Sequence, residues 1–330
     1  MNGRLIALIL CSFLLVIGAL LLAGVMPQQA LADLFRGSLG TKGALARTLK
    51  EVTPLLMAGV AVFLGLKAGL FNIGVEGQFL VGAVCAAFVG LAIKGPLGVL
   101  LALIAGCFAG AVWAFPAGWI KAYKNGHEVI TTIMLNNIAI FLTTWLVAGP
   151  LKAPKQESTT TAILPPDSRL PTLFSSPPFA LNIALVIAML LVVGLALWLK
   201  RTVAGYELSA TGANIRAAEV AGVNVKAVTL RAMAVSGAIG GLAGACQVLA
   251  YEWRFYEGFS PGYGFDALGV ALLAGSTPWG LLPAAGLFGI LSTGSTAMAA
   301  NGVPKGLNGV LLGLLIIGFA AYRYRTRKAA

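Results

Sequence analysis

Three polar side chains, Asn72, Glu76 and Gln78, fall within one glycine-broken apolar stretch, GLFNIGVEGQFLVGA (69–83). Two amides and a carboxylate in such a setting can exchange hydrogen bonds with a polar solute, or with backbone that a broken helix leaves unpaired. A carboxylate near lipid costs on the order of a few kcal/mol unless a partner or water meets it. Non-helical backbone at membrane depth persists only where protein or a water-filled cavity surrounds it. Two readings fit: a broken helix beside a translocation path, or a cytoplasmic turn with Glu76 near a helix N-terminus, where negative charge is favoured. A second stretch, SPGYGFDALGVALLAGSTPWG (260–280), again sets glycines, Phe265 and a lone carboxylate, Asp266, at the start of a short apolar run. A third, GHEVITTIMLNNIAIFLTTW (126–145), holds paired amides, Asn136 and Asn137, in mid-run and the single histidine, His127, at its start. The amides suit either bonding between helices or contact with a polar substrate. His127 beside Glu128 reads as a boundary residue, with a proton relay as the alternative.

The elements that must carry these groups are membrane helices. The chain of 330 residues is 58% hydrophobic and only 10% charged, against about 25% charged in a soluble domain, so lipid must be part of its solvent. Its apolar runs are continuous, which excludes the alternating pattern of a membrane β-barrel. A span needs about 20 apolar residues. We read one all-α polytopic transmembrane bundle over 1–330 with about ten spans, at about 5–26, 53–70, 76–93, 97–120, 127–148, 180–199, 229–250, 264–277, 279–299 and 303–321. Thr53-Pro54 reads as the start of the second, with proline in a first helical turn. The N-terminal run could be a signal peptide, but at about 21 residues it exceeds the usual 7–15-residue apolar core and reads as an uncleaved span.

The net charge of +12 is scattered over loops, with one cluster at Arg323 to Lys328. This suits cytoplasmic retention of basic loops rather than nucleic-acid binding. Both termini then lie in the cytoplasm. The proline-rich stretch 149–179 is an extracytoplasmic loop, and 202–228, rich in alanine and glycine, is a cytoplasmic insert suited to a soluble partner. The aromatic stretch YEWRFYEGFSPGYGF (251–265) reads as an interfacial belt, or as a gate or docking surface. The four cysteines lie in apolar runs without CxxC spacing and read as small buried hydrophobes. No cluster suits a metal, and no phosphate-binding loop or nucleophile elbow occurs, so uphill transport would draw energy from a partner or an ion gradient.

Taken together, TGANIRAAEVAGVNV (211–225), GLFNIGVEGQFLVGA, EVITTIMLNNIA (128–139), LVAGPLKAP (146–154) and GYGFDALGVALLAG (262–275) resemble the permease subunits of bacterial ABC importers for ribose-type sugars, branched-chain amino acids and nucleosides, in particular the nucleoside and simple-sugar branch. The resemblance covers about residues 50–320. It implies a fold like that of vitamin B12-type importers in the bacterial inner membrane. It also implies a second permease, homologous in a heterodimer or identical in a homodimer, with cytoplasmic ATPases that bind ATP and Mg, and an extracytoplasmic binding protein. The chain itself would be no enzyme and carry no cofactor. By the same match, Gly212, Arg216, Ala218, Glu219, Ala221 and Gly222 would belong to helices coupled to the ATPase. The path candidates remain Asn72, Glu76, Gln78, Asn136, Asn137, Phe265 and Asp266. One departure is the second asparagine of NNIA, Asn137, where a larger residue is expected. Spans two to five and seven to ten could form two halves of opposite topology, or the paired glycine breaks could be coincidence in a chain with 42 glycines. The rival class is an ion-gradient-driven secondary transporter using Glu76, Asp266 and His127.

Overall fold

The computed structural model describes residues 26–154, 156–176 and 179–303, with isolated positions at 14, 17, 18, 20, 21, 24, 310 and 313. The terminal runs at 5–26 and 303–321, Cys11 and the Arg323 to Lys328 cluster lie outside the described residues, apart from a few of their positions. The order is helix α1 (Pro27–Leu39), α2 (Lys42–Lys67), α3 (Val75–Ala92), α4 (Gly95–Lys124), α5 (Glu128–Ala148), a hairpin of β1 (Thr172–Ser176) and β2 (Phe179–Asn182), α6 (Ala184–Arg201), α7 (Val203–Ala213), α8 (Ile215–Val220), α9 (Val225–Gln247), α10 (Tyr263–Ala274) and α11 (Leu281–Ala300). Among the described residues, seven helical segments are long and apolar enough to cross a membrane, and α10 is a shorter apolar helix.

α2 begins earlier than the sequence reading places it. Thr41 caps it by accepting from Ala44 N at 3.0 Å, and Pro54 lies inside it rather than at its start. Apart from Gly43 and Thr48, the stretch KGALARTLKE is made of good helix formers. It is also anchored: Thr48 Oγ1 donates to Ser38 O at 2.7 Å, tying α2 to α1. Thr53 does not cap; its hydroxyl bonds back to Leu49 O. The sixth span starts at Ala184 instead of about 180 because the preceding residues pair as β2.

α3, α4 and α9 form the centre. They meet through glycines four residues apart, Gly106 and Gly110 on α4 and Gly237 and Gly241 on α9, with Gly82 on α3. A side chain at Gly241 would overlap the Gly106 carbonyl, and one at Gly244 the Phe79 carbonyl. With lipid on the outside, association comes from such close backbone approach rather than from a hydrophobic driving force. Gly241→Leu is expected to destabilise the purified chain by about 1–3 kcal/mol or more through overpacking. A thermal melt in detergent reads this; an unchanged midpoint would show that the glycine contact does not matter.

Candidate functional site

The chain breaks between α2 and α3 because Gly69, at φ +74°, turns it back along α2, where Leu70 N donates to Gly65 O at 2.9 Å. The returning segment brings Asn72 and Gln78 into a reciprocal amide pair, both bonds at 3.2 Å. Asn72 Oδ1 also accepts from Gly74 N at 3.0 Å, and its Nδ2 donates to Ser236 Oγ at 2.8 Å. Ser236 Oγ in turn donates to Ala61 O at 2.7 Å. One buried network thus joins the break to α2 and α9, and closed buried networks of this kind hold a unique arrangement.

Asn136 secures the break from the other side. Its Oδ1 accepts from Gly77 N at 2.8 Å and its Nδ2 donates to Ile73 O at 2.9 Å. These are groups at the start of α3 that lack helical partners. The two glycine-broken segments meet at Glu76: its Oε2 accepts from Gly264 N in the first turn of α10 at 2.7 Å. Glu76 itself sits in the first turn of α3, so one carboxylate serves two helix N-termini, where negative charge is stabilised. A side chain at Gly264 would overlap the Glu76 backbone. Ser260 Oγ completes the α10 cap, accepting from Gly262 N and Tyr263 N at 3.1 and 3.2 Å.

Asn72, Glu76, Gln78 and Asn136 are all buried; the other candidates stand apart. Asn137 lies on the exposed face of α5 and bonds back to Ile133 O. Phe265 is exposed and Asp266 half-buried. His127 is the residue before α5 and makes no capping bond through its side chain.

The sequence reading missed a second polar cluster, in the N-terminal half of α2, away from Gly69. Lys50 pairs with Glu252 at 3.0 Å. Tyr256 OH donates to Glu252 Oε2 at 3.3 Å, and Tyr263 OH donates to Glu51 Oε2 at 3.1 Å. Burial, and then the charge of Glu252, push the Tyr256 phenol up to about 12, so it stays a neutral donor. The only signal in the sequence was acidic residues beside lysine and tyrosine at two span boundaries.

The insert at 202–228 folds as two short helices. Thr202 caps α7, and Asn214 and Asn224 cap α8 and α9, each accepting a backbone N–H at 3.1 Å. Gly222, at φ +85°, ends α8, with Val223 N bonded to Ala218 O at 3.0 Å, as αL-terminated helices end. Gly212 lies so close to α2 that a side chain there would overlap the Lys67 carbonyl. Ala218 is buried, Arg216, Glu219, Ala221 and Gly222 are exposed, and on α8 two large apolar side chains face outward, Ile215 and Val220, the latter 91% exposed.

Glycine-packed spanning helices, a buried break and a capped polar insert define a polytopic membrane protein. The family model described as branched-chain amino acid transport system / permease component matches residues 44–320, and the chain belongs to that family: it is a permease subunit of an ABC importer and a multi-pass membrane protein. It is 36% identical to the guanosine ABC transporter permease protein NupP of Bacillus subtilis, over 93% of this chain and 89% of that one. It is 34% identical to the glucose ABC transporter permease protein TsgB13 of Haloferax volcanii, over 91% and 82%. It is 33% identical to the nucleoside ABC transporter permease protein NupB of Lactococcus lactis, over 96% and 90%. No solved structure matches the chain significantly.

Proposed function

We propose that the chain forms one half of the path of an ATP-driven importer for nucleosides, with simple sugars as the next class. The observation that carries the substrate is the naming of relatives similar over nearly the whole chain, for guanosine and for nucleosides, with glucose named for a third. A second permease, homologous or identical, supplies the other half. An extracytoplasmic binding protein delivers substrate, and cytoplasmic ATPases hold ATP and Mg2+. The protein sits in the bacterial inner membrane with both termini in the cytoplasm. The two terminal apolar runs and α10 bring the seven spans to ten, and the stretch 149–179 faces outward.

The α7–α8 unit is the coupling segment. Gly212 joins it to α2, and Arg216, Glu219, Ala221 and Gly222 lie on its exposed side around the buried Ala218. The Glu76–Gly264 contact is where the two halves of an inverted repeat meet, as the broken segments of such transporters do. The path runs beside that contact, with Asn72, Gln78 and Asn136 holding its wall, Phe265 and Asp266 next to it in the first turn of α10, and Asn137 on the outer face of α5. The test is uptake into proteoliposomes holding the whole complex. Guanosine should accumulate with internal ATP and binding protein, and fail to accumulate on a pH gradient alone. Accumulation by the lone chain on a pH gradient would sink the reading.

A further inference from the structure

The polar cluster around Glu51 and Glu252 is richer in acceptors than its internal bonds require. Both bonds to Glu51 go to Oε2, from Tyr263 OH at 3.1 Å and Ser292 Oγ at 3.5 Å, and Oε1 accepts neither. The Lys50 ammonium is bonded to Glu252. Gln247, only 3% exposed, places its Nε2 3.4 Å from Glu252 Oε1, while its own Oε1 is buried without a hydrogen-bond partner. A buried acceptor left unmade is costly, and natural proteins keep few of them. The backbone at the same place is irregular. α9 runs on into a π turn, Val248–Glu252, and Trp253 follows in the left-handed region at φ +56°. π turns and non-glycine residues held in that region concentrate at functional sites. The cluster is not sealed off, since the side chains of Lys50 and Glu252 are each 22% exposed.

We propose that Glu51, Glu252 and Gln247 form a recognition site in the permease itself for the vicinal hydroxyls of a neutral substrate, such as a ribosyl unit. Carboxylate and amide oxygens accept from hydroxyl donors, and two carboxylates beside one ammonium disfavour an anion. The hydroxyls of Tyr263 and Tyr251 reach the same cluster, and the half-buried Tyr251 offers its ring to the apolar edge of a sugar. The site lies toward the end of α2 remote from the coupling segment, where a delivered substrate enters. The proposal rests on the reading of the chain as a nucleoside or sugar permease.

The experiment compares uptake of guanosine and 2′,3′-dideoxyguanosine by the reconstituted complex at saturating binding protein, for wild type, Glu51→Gln and Glu252→Gln. The binding protein is the same throughout, so a change in the ratio of the two rates arises in the permease. Loss of a charge-assisted hydrogen bond should lower the guanosine preference about tenfold, with complex recovery checked by co-purification. Tyr263→Phe, which keeps the ring and removes one donor to Glu51, should shift the ratio less. Glu257→Gln, an exposed carboxylate on the same loop, should leave it unchanged. An unchanged ratio in both Glu51→Gln and Glu252→Gln overturns the site. If the wild-type complex carries glucose and not guanosine, the nucleoside reading falls alone, and the same ratio with glucose and 2-deoxyglucose decides the site: a shift supports it and no shift overturns it.

Discussion

Val220→Asp is expected to abolish ATP-driven uptake, by a hundredfold or more, while leaving the membrane domain folded. Val220 is the last residue of α8 and is almost wholly exposed, so the change removes no internal contact and surface substitutions of this kind alter stability by about 0.5 kcal/mol or less. An exposed apolar side chain beside Ile215 gains its value only when a partner covers it. Burying a carboxylate there instead leaves an uncompensated charge, which costs several kcal/mol at an interface. Co-purification of the ATPase with the variant, and uptake at saturating binding protein, read the two halves of the prediction. Retention of both ATPase and uptake would remove α8 from the coupling surface. Loss of the folded permease itself would mean that Val220 packs within the chain.

The second large effect is expected at Asn136. Asn136→Leu leaves the Gly77 N–H and the Ile73 carbonyl without their partner in a buried site. Each orphaned group costs about 1–3 kcal/mol, so the purified chain should lose about 2–6 kcal/mol in all. Asn137→Leu, one residue on, should change little, because that amide bonds only to its own helix at Ile133 O. Thermal melts of the two variants side by side give the answer; equal midpoints would show that the Asn136 clamp contributes nothing.

The contrast between these neighbours marks how far sequence reaches. Periodicity and composition locate α3, α4, α5, α9, α10 and α11 to within a few residues, because lipid forces long apolar runs. The same criterion misplaces the start of α2, since Lys42, Arg47, Lys50 and Glu51 break the apolar run while the helix continues through them. It also passes over the β1–β2 hairpin, whose strands pair within and just after a proline-rich stretch that carries no alternating apolar pattern. Asn72, Glu76, Gln78 and Asn136 stand out as polar groups in apolar surroundings, but their partners do not. Asn72 meets Ser236 across 164 positions and Asn136 meets Gly77 across 59. The Lys50–Glu252 pair is joined across 202 positions, and each member looks alone like an ordinary boundary charge.

α2 joins the α7–α8 insert to the Glu51–Glu252 cluster. Its last residue, Lys67, touches Gly212, and Glu51 lies 16 residues earlier, about 24 Å away along a helix rising 1.5 Å per residue. A helix hardly compresses along its axis, so a push on Gly212 travels up it almost undiminished. Pro54 has no N–H to return to the Lys50 carbonyl, which leaves the helix softest one turn below Lys50 and Glu51. Such a helix acts as a push-rod with a hinge part-way along it: linear travel at the Gly212 end becomes a swing of the turn that holds the two charged side chains.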